Sequence, residues 1–199
     1  MLMSNFSDSI FEAGVDEAGR GSLAGPVTAA AVILPKNYKN DYLNDSKKLS
    51  EKKRIELRYV IENDSIDYAV CSIAPATIDK INILNSTFKA MHGALNKLKV
   101  IPEFIIVDGN KFKKFKNINY KCIVKGDSKY QNIAAASILA KTYRDLYMVE
   151  QHNRFPNFGW DRNKGYGTKF HINSIFKHGL TILHRKSFTI KKSQIKLEL

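Results

Sequence analysis

Acidic residues stand at or near the ends of three short apolar runs in this sequence. Asp16 and Glu17 follow "AGV", Asp108 closes "FIIVD", and Asp127 comes after "CIVKG". A single acid at a strand end is usually a turn former or a helix cap. Acids that met at one sheet edge would repel one another unless cations neutralised them. Mg²⁺ binds carboxylate and phosphate oxygens, and two such ions can activate water and stabilise a leaving oxygen. Together, the acids predict a site for metal-dependent phosphodiester hydrolysis.

The chain is strongly basic, with 32 Lys and Arg against 19 Asp and Glu and a formal net charge of +13. Such a charge attracts phosphate and raises the rate of encounter with polyanions. The abundance of Lys, Asn and Ile also fits a compositionally biased genome, so the charge alone leaves both explanations open. Combined with the acids, it favours a protein whose Lys and Arg hold a nucleic acid backbone around one acidic site.

Other catalytic motifs are absent from the sequence. There is no G-x-S-x-G, H-E-x-x-H or G-x-x-x-x-G-K-[ST] motif, and "GRGSLAG" does not match G-x-G-x-x-G. Cys71 and Cys122 lie in apolar runs without a C-x-x-C pair, which favours two reduced core thiols. The histidines are scattered, and we interpret each as a surface or core residue rather than a ligand: His92, His152, His171, His178 and His184.

Hydrophobic periodicity predicts alternating strands and helices after an opening pair of strands. The predicted strands cover 11–17, 26–34, 65–74, 103–108 and 120–127. The predicted helices cover 51–61 with Ser50 as N-cap, 84–98, 130–151 and 168–178. In the third helix, Leu146 falls on the core side and Arg144 and Asp145 on the opposite side. This order predicts an α/β fold, a mixed sheet covered by helices, with ligands at the carboxyl ends of strands.

Length and composition predict one domain over residues 1–199. Its core is expected at about 10–150, a helical C-terminal part at about 151–188, and a tail that frays at 189–199. No apolar run approaches the roughly 20 residues that span a bilayer, and the N-terminus has no basic segment ahead of an apolar one. We therefore expect a cytoplasmic protein without membrane attachment.

Five stretches, in order along the chain, match one known family. They are "GVDEAGRGSLAGPVTAAAVIL", "LNDSKKLSEKKR", "IIVDGN", "VKGDSKYQNIAAASILAKTYRD" and "FPNFGWDRNKGYGTKFHINSIFKHGLTILHRKSF". This set resembles bacterial ribonuclease HII, the type 2 ribonuclease H enzymes. The stretches span nearly the whole chain, and the Asp-Glu-x-Gly-Arg-Gly turn before an Ala-rich strand is highly specific for that family.

The resemblance implies a ribonuclease H-like mixed five-stranded sheet flanked by helices, with a helical C-terminal extension. It puts Asp16, Glu17, Asp108 and Asp127 at the family's catalytic, metal-binding carboxylate positions, for Mg²⁺ or Mn²⁺. Neighbouring side chains of a regular strand point to opposite faces, so Asp16 and Glu17 can share a site only where the backbone breaks. The glycines nearby permit such a break.

The same resemblance suggests how substrate is read. Gly19, Arg20 and Gly21 match the turn whose backbone contacts the ribose 2′-hydroxyl, the group that separates RNA from DNA. Tyr166 matches the tyrosine that packs on the sugar after the cleaved phosphate, where a deoxyribose is preferred. Without the resemblance, Tyr166 is equally well interpreted as an aromatic residue packed in a loop. Arg20 can likewise be interpreted as a partner in a surface ion pair.

Two further positions complete the comparison with the family. Lys47 stands at a family position that suggests a phosphate contact, although a solvated lysine before a helix cap is the simpler interpretation. Ser22 replaces a proline that the family commonly has, which we expect to loosen the turn.

The activity implied by the resemblance is endonucleolytic cleavage of the RNA strand of RNA/DNA hybrids. Cleavage is also implied on the 5′ side of ribonucleotides embedded in duplex DNA, leaving 5′-phosphate and 3′-hydroxyl ends, in the removal of misincorporated ribonucleotides. Two alternatives remain: a non-catalytic RNA- or hybrid-binding protein, and a DNA-directed nuclease that ignores the 2′-hydroxyl. A monomer is expected, and a replication clamp stays an open partner that the sequence does not reveal.

Overall fold

The computed structural model describes residues 2–43, 46 and 49–190. The strands are β1 Glu12–Ala18, β2 Val27–Ile33, β3 Asp67–Ile73, β4 Phe104–Asp108 and β5 Asn119–Ile123. The helices are α1 Glu51–Asp64, α2 Pro75–Lys97, α3 Gln131–Arg154, α4 Trp160–Asn163 and α5 Lys169–His178. Single 3₁₀ turns cover Gly126–Ser128 and Pro156–Phe158.

The strands form one five-stranded mixed sheet in the order β3-β2-β1-β4-β5. β2 pairs antiparallel with both β1 and β3, whereas β4 pairs parallel with both β1 and β5. The central strand β1 is therefore the point where the sheet changes from antiparallel to parallel pairing. This arrangement, with helices on both faces, confirms the predicted fold class.

Alternation along β1 decides which helix each side chain meets. Val15 belongs to the apolar cluster under α2, and Ala18 to the cluster under α3, so even-numbered positions of this strand face α3. Gly14 lies on the α3 face, where a Cβ atom would overlap the backbone of Asn132. Because Gly14 has no side chain, the start of α3 lies directly on β1, next to Asp16.

Helix α2 begins earlier than the apolar periodicity predicted. Pro75 opens it, and Asn82 interrupts it with a φ of 64°. The Asn82 side chain then accepts a hydrogen bond from the Asn85 N–H group at 3.0 Å, which caps the second half. The interruption rotates the apolar face of the first half relative to that of the second. The apolar periodicity in the sequence therefore identified only the second half, from Leu84 onward.

The outward face predicted for α3 is wrong at its middle. Arg144 is 1% exposed and Asp145 is 5% exposed, whereas Leu146, predicted for the core side, is 41% exposed. The reason is a third apolar cluster, in which the C-terminal residues Trp160 and Leu183 pack with Met148 of α3. The C-terminal part thus covers a side of α3 that periodicity assigned to solvent.

Two local predictions about helices are confirmed. Ser50 caps α1 by accepting from the Lys53 N–H group at 3.2 Å, and the last predicted helix corresponds to α5. Cys71 and Cys122 are free and partly buried. Across the described ranges, no helix combines the length and apolarity needed to cross a membrane.

Candidate active site

The parallel pairing of β1 and β4 brings two acids together. Val15 lies opposite Val107 in this ladder, and Asp16 and Asp108 follow one residue later on each strand. Strands paired in this way place matching positions on the same face, and here that face is covered by α3. The register of the β1–β4 ladder therefore brings Asp16 and Asp108 together at the carboxyl edge of the sheet, as predicted.

Asp127 reaches the same edge through a turn rather than through a strand. β5 ends at Ile123, and Lys125 then takes a left-handed φ of 56° before the 3₁₀ turn that carries Asp127. The strand predicted over 120–127 is therefore too long. The Gly126 N–H group donates to Asp108 Oδ1 at 2.7 Å, which fixes this turn against the end of β4.

The outcome is a cluster of three carboxylates. One oxygen from each of Asp16, Asp108 and Asp127 lies within 4.8 Å of the other two. Asp16 and Asp127 are buried and Asp108 is partly buried. Carboxylate oxygens at such separations suit a hard divalent cation.

Glu17 lies beside this cluster but outside it. The backbone does not break after Asp16, since both residues stay in the β1–β2 ladder, opposite Ala30 and Ala29. The expected break is therefore wrong, and Glu17 lines two neighbouring pockets that Asp108 also lines. Glu17 also forms an ion pair of 3.1 Å with Arg20, as the surface interpretation of that arginine predicted.

The electrostatics of Asp16 fit a cation site. Burial raises the pKa of its carboxyl well above the usual value, and the charges of Glu17 and Asp108 raise it further. A hydrogen bond from Ser137 and one from the Glu17 N–H group act in the opposite direction. Carboxylates held this close together repel one another, and a divalent cation bound between them relieves that repulsion.

A pocket of about 430 Å³ opens on the acids. Asp16, Glu17 and Asp108 lie along it. The remaining lining includes the predicted substrate-binding residues Gly19, Arg20, Gly21 and Tyr166, together with Ser46, Ser137 and Lys141. Lys47 lies outside the described residues, so its predicted phosphate contact stays a prediction.

Two buried arginines hold the turn after β1 by its carbonyl groups. Arg185 donates to the carbonyls of Gly19 at 2.7 Å, Arg20 at 2.9 Å and Gly25 at 3.0 Å. Arg144 donates to the carbonyls of Ala24 and Pro26 further along. Within the described part of the chain, the N–H groups of Arg20 and Gly21 have no acceptor. Protein side chains therefore bind carbonyl groups of this turn, whereas the Arg20 and Gly21 N–H groups are available to donate to a ligand.

Ser22 tightens this turn, contrary to expectation. Its hydroxyl donates to the Gly19 carbonyl at 2.9 Å and accepts from Arg144 Nη2 at 2.7 Å. A buried hydroxyl with both a donor and an acceptor role satisfied is a fixed contact. The serine therefore fixes the turn through two hydrogen bonds.

Sequence reasoning missed the arginines and the contribution of α3. Burial lowers the pKa of both guanidinium groups, that of Arg185 to about 9, so Arg185 remains charged at neutral pH. Ser137 and Lys141 stand four residues apart and project from one face of α3 into the pocket. The sequence signal for these two residues was their four-residue spacing, in a helix for which the sequence prediction placed Arg144 on the solvent side.

Tyr166 lines the pocket and is partly buried. Its ring centroid is 5.2 Å from Arg144 Cζ and 5.5 Å from Lys141 Nζ. Cations at these distances are attracted to the face of an aromatic ring. The loop tyrosine is thus both packed and exposed to the pocket, so the two predicted interpretations are compatible.

Comparisons with known proteins agree with this geometry. The family model for ribonuclease HII matches residues 13–191. A ribonuclease HII of Bacteroides fragilis is 55% identical over 190 residues, covering 96% of this chain and 94% of the relative. The ribonuclease H2 structure from Pyrococcus horikoshii OT3 superposes with a TM-score of 0.75 at 26% identity, covering 89% of this chain and 93% of that one.

A more distant structure shares the fold. Bst-RNase HIII in complex with Mn²⁺ superposes with a TM-score of 0.66 at 18% identity, covering 90% of this chain and 67% of that chain. The family match, the near-complete relatives and the acidic pocket agree on one assignment. This chain belongs to the ribonuclease HII family and is a ribonuclease H endonuclease.

Proposed function

We propose that this enzyme hydrolyses the RNA strand of RNA/DNA hybrids and cuts on the 5′ side of ribonucleotides embedded in duplex DNA. It leaves 5′-phosphate and 3′-hydroxyl ends and acts in the removal of misincorporated ribonucleotides. The observation that carries the proposal is the cluster of Asp16, Asp108 and Asp127. Two of its members, Asp16 and Asp108, line the pocket that the 19–21 turn and Tyr166 also line.

The acids are proposed to hold Mg²⁺ or Mn²⁺. Asp16, Asp108 and Asp127 offer oxygens within 4.8 Å of one another, and Glu17 lies at the edge of the same pocket. The Mn²⁺ complex of Bst-RNase HIII supports a divalent ion in this fold. When bound, two such ions activate the attacking water and stabilise the leaving oxygen.

The residues around the acids orient the scissile strand. Lys141 and Arg20 bring positive charge to the rim of the pocket, where a phosphate would otherwise face only carboxylates. The N–H groups of Arg20 and Gly21 are donors that suit a ribose 2′-hydroxyl. Tyr166 offers an aromatic ring in the lining of the same pocket, which suits a sugar without that hydroxyl.

Three substrates test the proposal in the presence of Mg²⁺. They are a DNA duplex with one ribonucleotide, a uniform RNA/DNA hybrid and an all-DNA duplex. We expect cleavage of the first two only, with 5′-phosphates that a DNA ligase accepts. Equal cleavage of all-DNA would instead identify a DNA-directed nuclease. Magnesium-independent, salt-sensitive binding without cleavage would identify a non-catalytic binding protein.

Several finer expectations remain proposals. The cytoplasm, the monomeric state and a replication clamp as partner are consistent with this activity. The single domain over residues 1–199 is likewise a proposal. Sedimentation of the purified enzyme would test the monomer directly.

A further inference from the structure

Two buried histidines lie behind Tyr166, outside the acidic pocket. His171 of α5 is 0% exposed and His184 is 2% exposed. Their Nε2 atoms are 3.2 Å apart. Trp160 stacks on Phe158 beside them with ring centroids 5.3 Å apart. Neither histidine is needed for the hydrolysis proposed above.

The ends of this pair fix where its protons must be. The Thr181 N–H group lies 2.8 Å from His184 Nδ1 and can only donate, so His184 Nδ1 is an acceptor. The Trp160 Nε1–H group lies 3.0 Å from His171 Nε2 and can also only donate. At the far end, His171 Nδ1 lies 2.9 Å from the Tyr166 carbonyl oxygen, which can only accept.

The contacts at the two ends leave each ring one neutral tautomer, in which the Trp160 Nε1–H and His184 Nε2–H groups share the single lone pair of His171 Nε2. His184 is neutral with its proton on Nε2, and that group donates to His171 Nε2. His171 is neutral with its proton on Nδ1, and that group donates to Tyr166. A hydrogen-bond chain therefore runs in one direction from Thr181 to the backbone of Tyr166. An additional proton on either ring would set a donor against a donor.

We propose that His171, in the tautomer set by Trp160 and His184, is a positioning residue that fixes the Tyr166 ring for discrimination between substrates. The inference rests on the proposed function, because it assigns Tyr166 to the sugar after the cut. The Tyr166 carbonyl also accepts from the Thr168 N–H group at 2.8 Å. The two bonds hold the tyrosine backbone, while Lys141 Nζ and Arg144 Cζ lie over its ring.

Two substitutions of one residue separate positioning from packing. His171→Asn places an amide donor near the former Nδ1, so it keeps the bond to Tyr166. His171→Gln places its amide near the former Nε2, so it keeps contacts with Trp160 and His184 but loses that bond. His178 of the same helix is exposed, and His178→Gln is the matched control.

The readout is the ratio of kcat/KM on a single embedded ribonucleotide to kcat/KM on a uniform hybrid. For His171→Gln we expect this ratio to fall about tenfold, the effect of one lost hydrogen bond. His171→Asn and His178→Gln should keep the wild-type ratio. Equal losses on both substrates, or an unchanged ratio in His171→Gln, would overturn the proposal.

A second measurement does not depend on activity. Side-chain ¹⁵N NMR of the wild-type enzyme at neutral pH should show His171 protonated on Nδ1 and His184 on Nε2. The opposite tautomer or a charged ring at either position would refute the hydrogen-bond chain from Thr181 to Tyr166, even if a variant failed to fold. If the wild-type enzyme cleaved neither substrate, the proposed function would be wrong. The tautomers would still show whether the hydrogen-bond chain from Thr181 to Tyr166 exists.

Discussion

Asp108 Oδ1 accepts a hydrogen bond of 2.7 Å from the Gly126 N–H group. This contact ties the end of β4 to the turn that carries Asp127. It also occupies one lone pair of a carboxylate that is proposed to bind metal, so it orients Asp108 before any ion arrives. The geometry of the site therefore depends on a backbone group as well as on the acids.

Asp108→Asn should abolish cleavage while leaving hybrid binding largely intact. The amide oxygen can still accept from Gly126, so the turn should stay in place, but one negative ligand is lost. Metal stabilisation of several kcal/mol corresponds to a loss of roughly a thousandfold or more in kcat. Single-turnover cleavage and filter binding in Mg²⁺ measure the two effects.

The control for that substitution is Asp41→Asn, at an exposed acid outside the pocket. It should cleave at the wild-type rate. Full activity in Asp108→Asn, or a matching loss in Asp41→Asn, would contradict a specific role for the cluster.

Divalent cations should raise the Tm of the metal-free enzyme. Binding at one hundred times the dissociation constant contributes about 2.7 kcal/mol, or roughly 5 to 10 °C for a chain of this size. Differential scanning fluorimetry with Mg²⁺ or Mn²⁺ after chelation measures the shift. Asp127→Asn should reduce it strongly, and an identical shift in that variant would place the ion elsewhere.

Tyr166→Ala should lose more activity on a single embedded ribonucleotide than on a uniform hybrid. Only the first substrate presents a deoxyribose after the cut, where the ring is proposed to pack. Tyr166→Phe is the matched control, since it keeps the ring that contacts Lys141 and Arg144. Ratios of kcat/KM for the two substrates measure the effect. Equal losses on both would contradict a contact between Tyr166 and the sugar.

Gly19→Ala should destabilise the enzyme by about 1–2 kcal/mol or more, because an L-residue is strained in the left-handed region. Gly19 has a φ of +88°, and an added Cβ would overlap the Arg144 side chain. Gly21 is the matched control, since an added Cβ there meets nothing within 4 Å. Urea unfolding should therefore separate the two variants, with Gly21→Ala within about 0.5 kcal/mol of wild type.

The free energy of unfolding should fall as pH decreases from about 6.5 towards 4. Burial, with a smaller contribution from the charge of His171, lowers the pKa of His184 to about 4. Burial lowers the pKa of His171 as well. In this window the unfolded chain binds protons that the folded chain does not, so stability is greatest above the unfolded pKa.

His184→Asn tests that pH dependence. Its side-chain oxygen can still accept from Thr181, but it does not titrate. Urea unfolding at pH 7 and pH 4.5 should show a smaller loss than in wild type. An equal loss in both proteins would assign the acid sensitivity to other groups.

Local chemistry in the sequence determined most of the elements. The apolar run "FIIVD" became β4 with Asp108 at its end, and Ser50 became the cap of α1. These features depend on residues within a few positions of one another, so side-chain type and spacing are enough to identify them. Asp16 could be placed for the same reason, since it follows directly on an apolar run.

Tertiary structure decided which acids meet and what lies behind them. Glu17 falls on the opposite face of β1 from Asp16 because the strand stays regular, and Asp127 arrives through a turn. Arg144 became a buried clamp because residues more than a hundred positions away supply its acceptors, among them the Pro26 carbonyl. Helical periodicity reports that a face is apolar, but only packing reveals which segment covers the other faces.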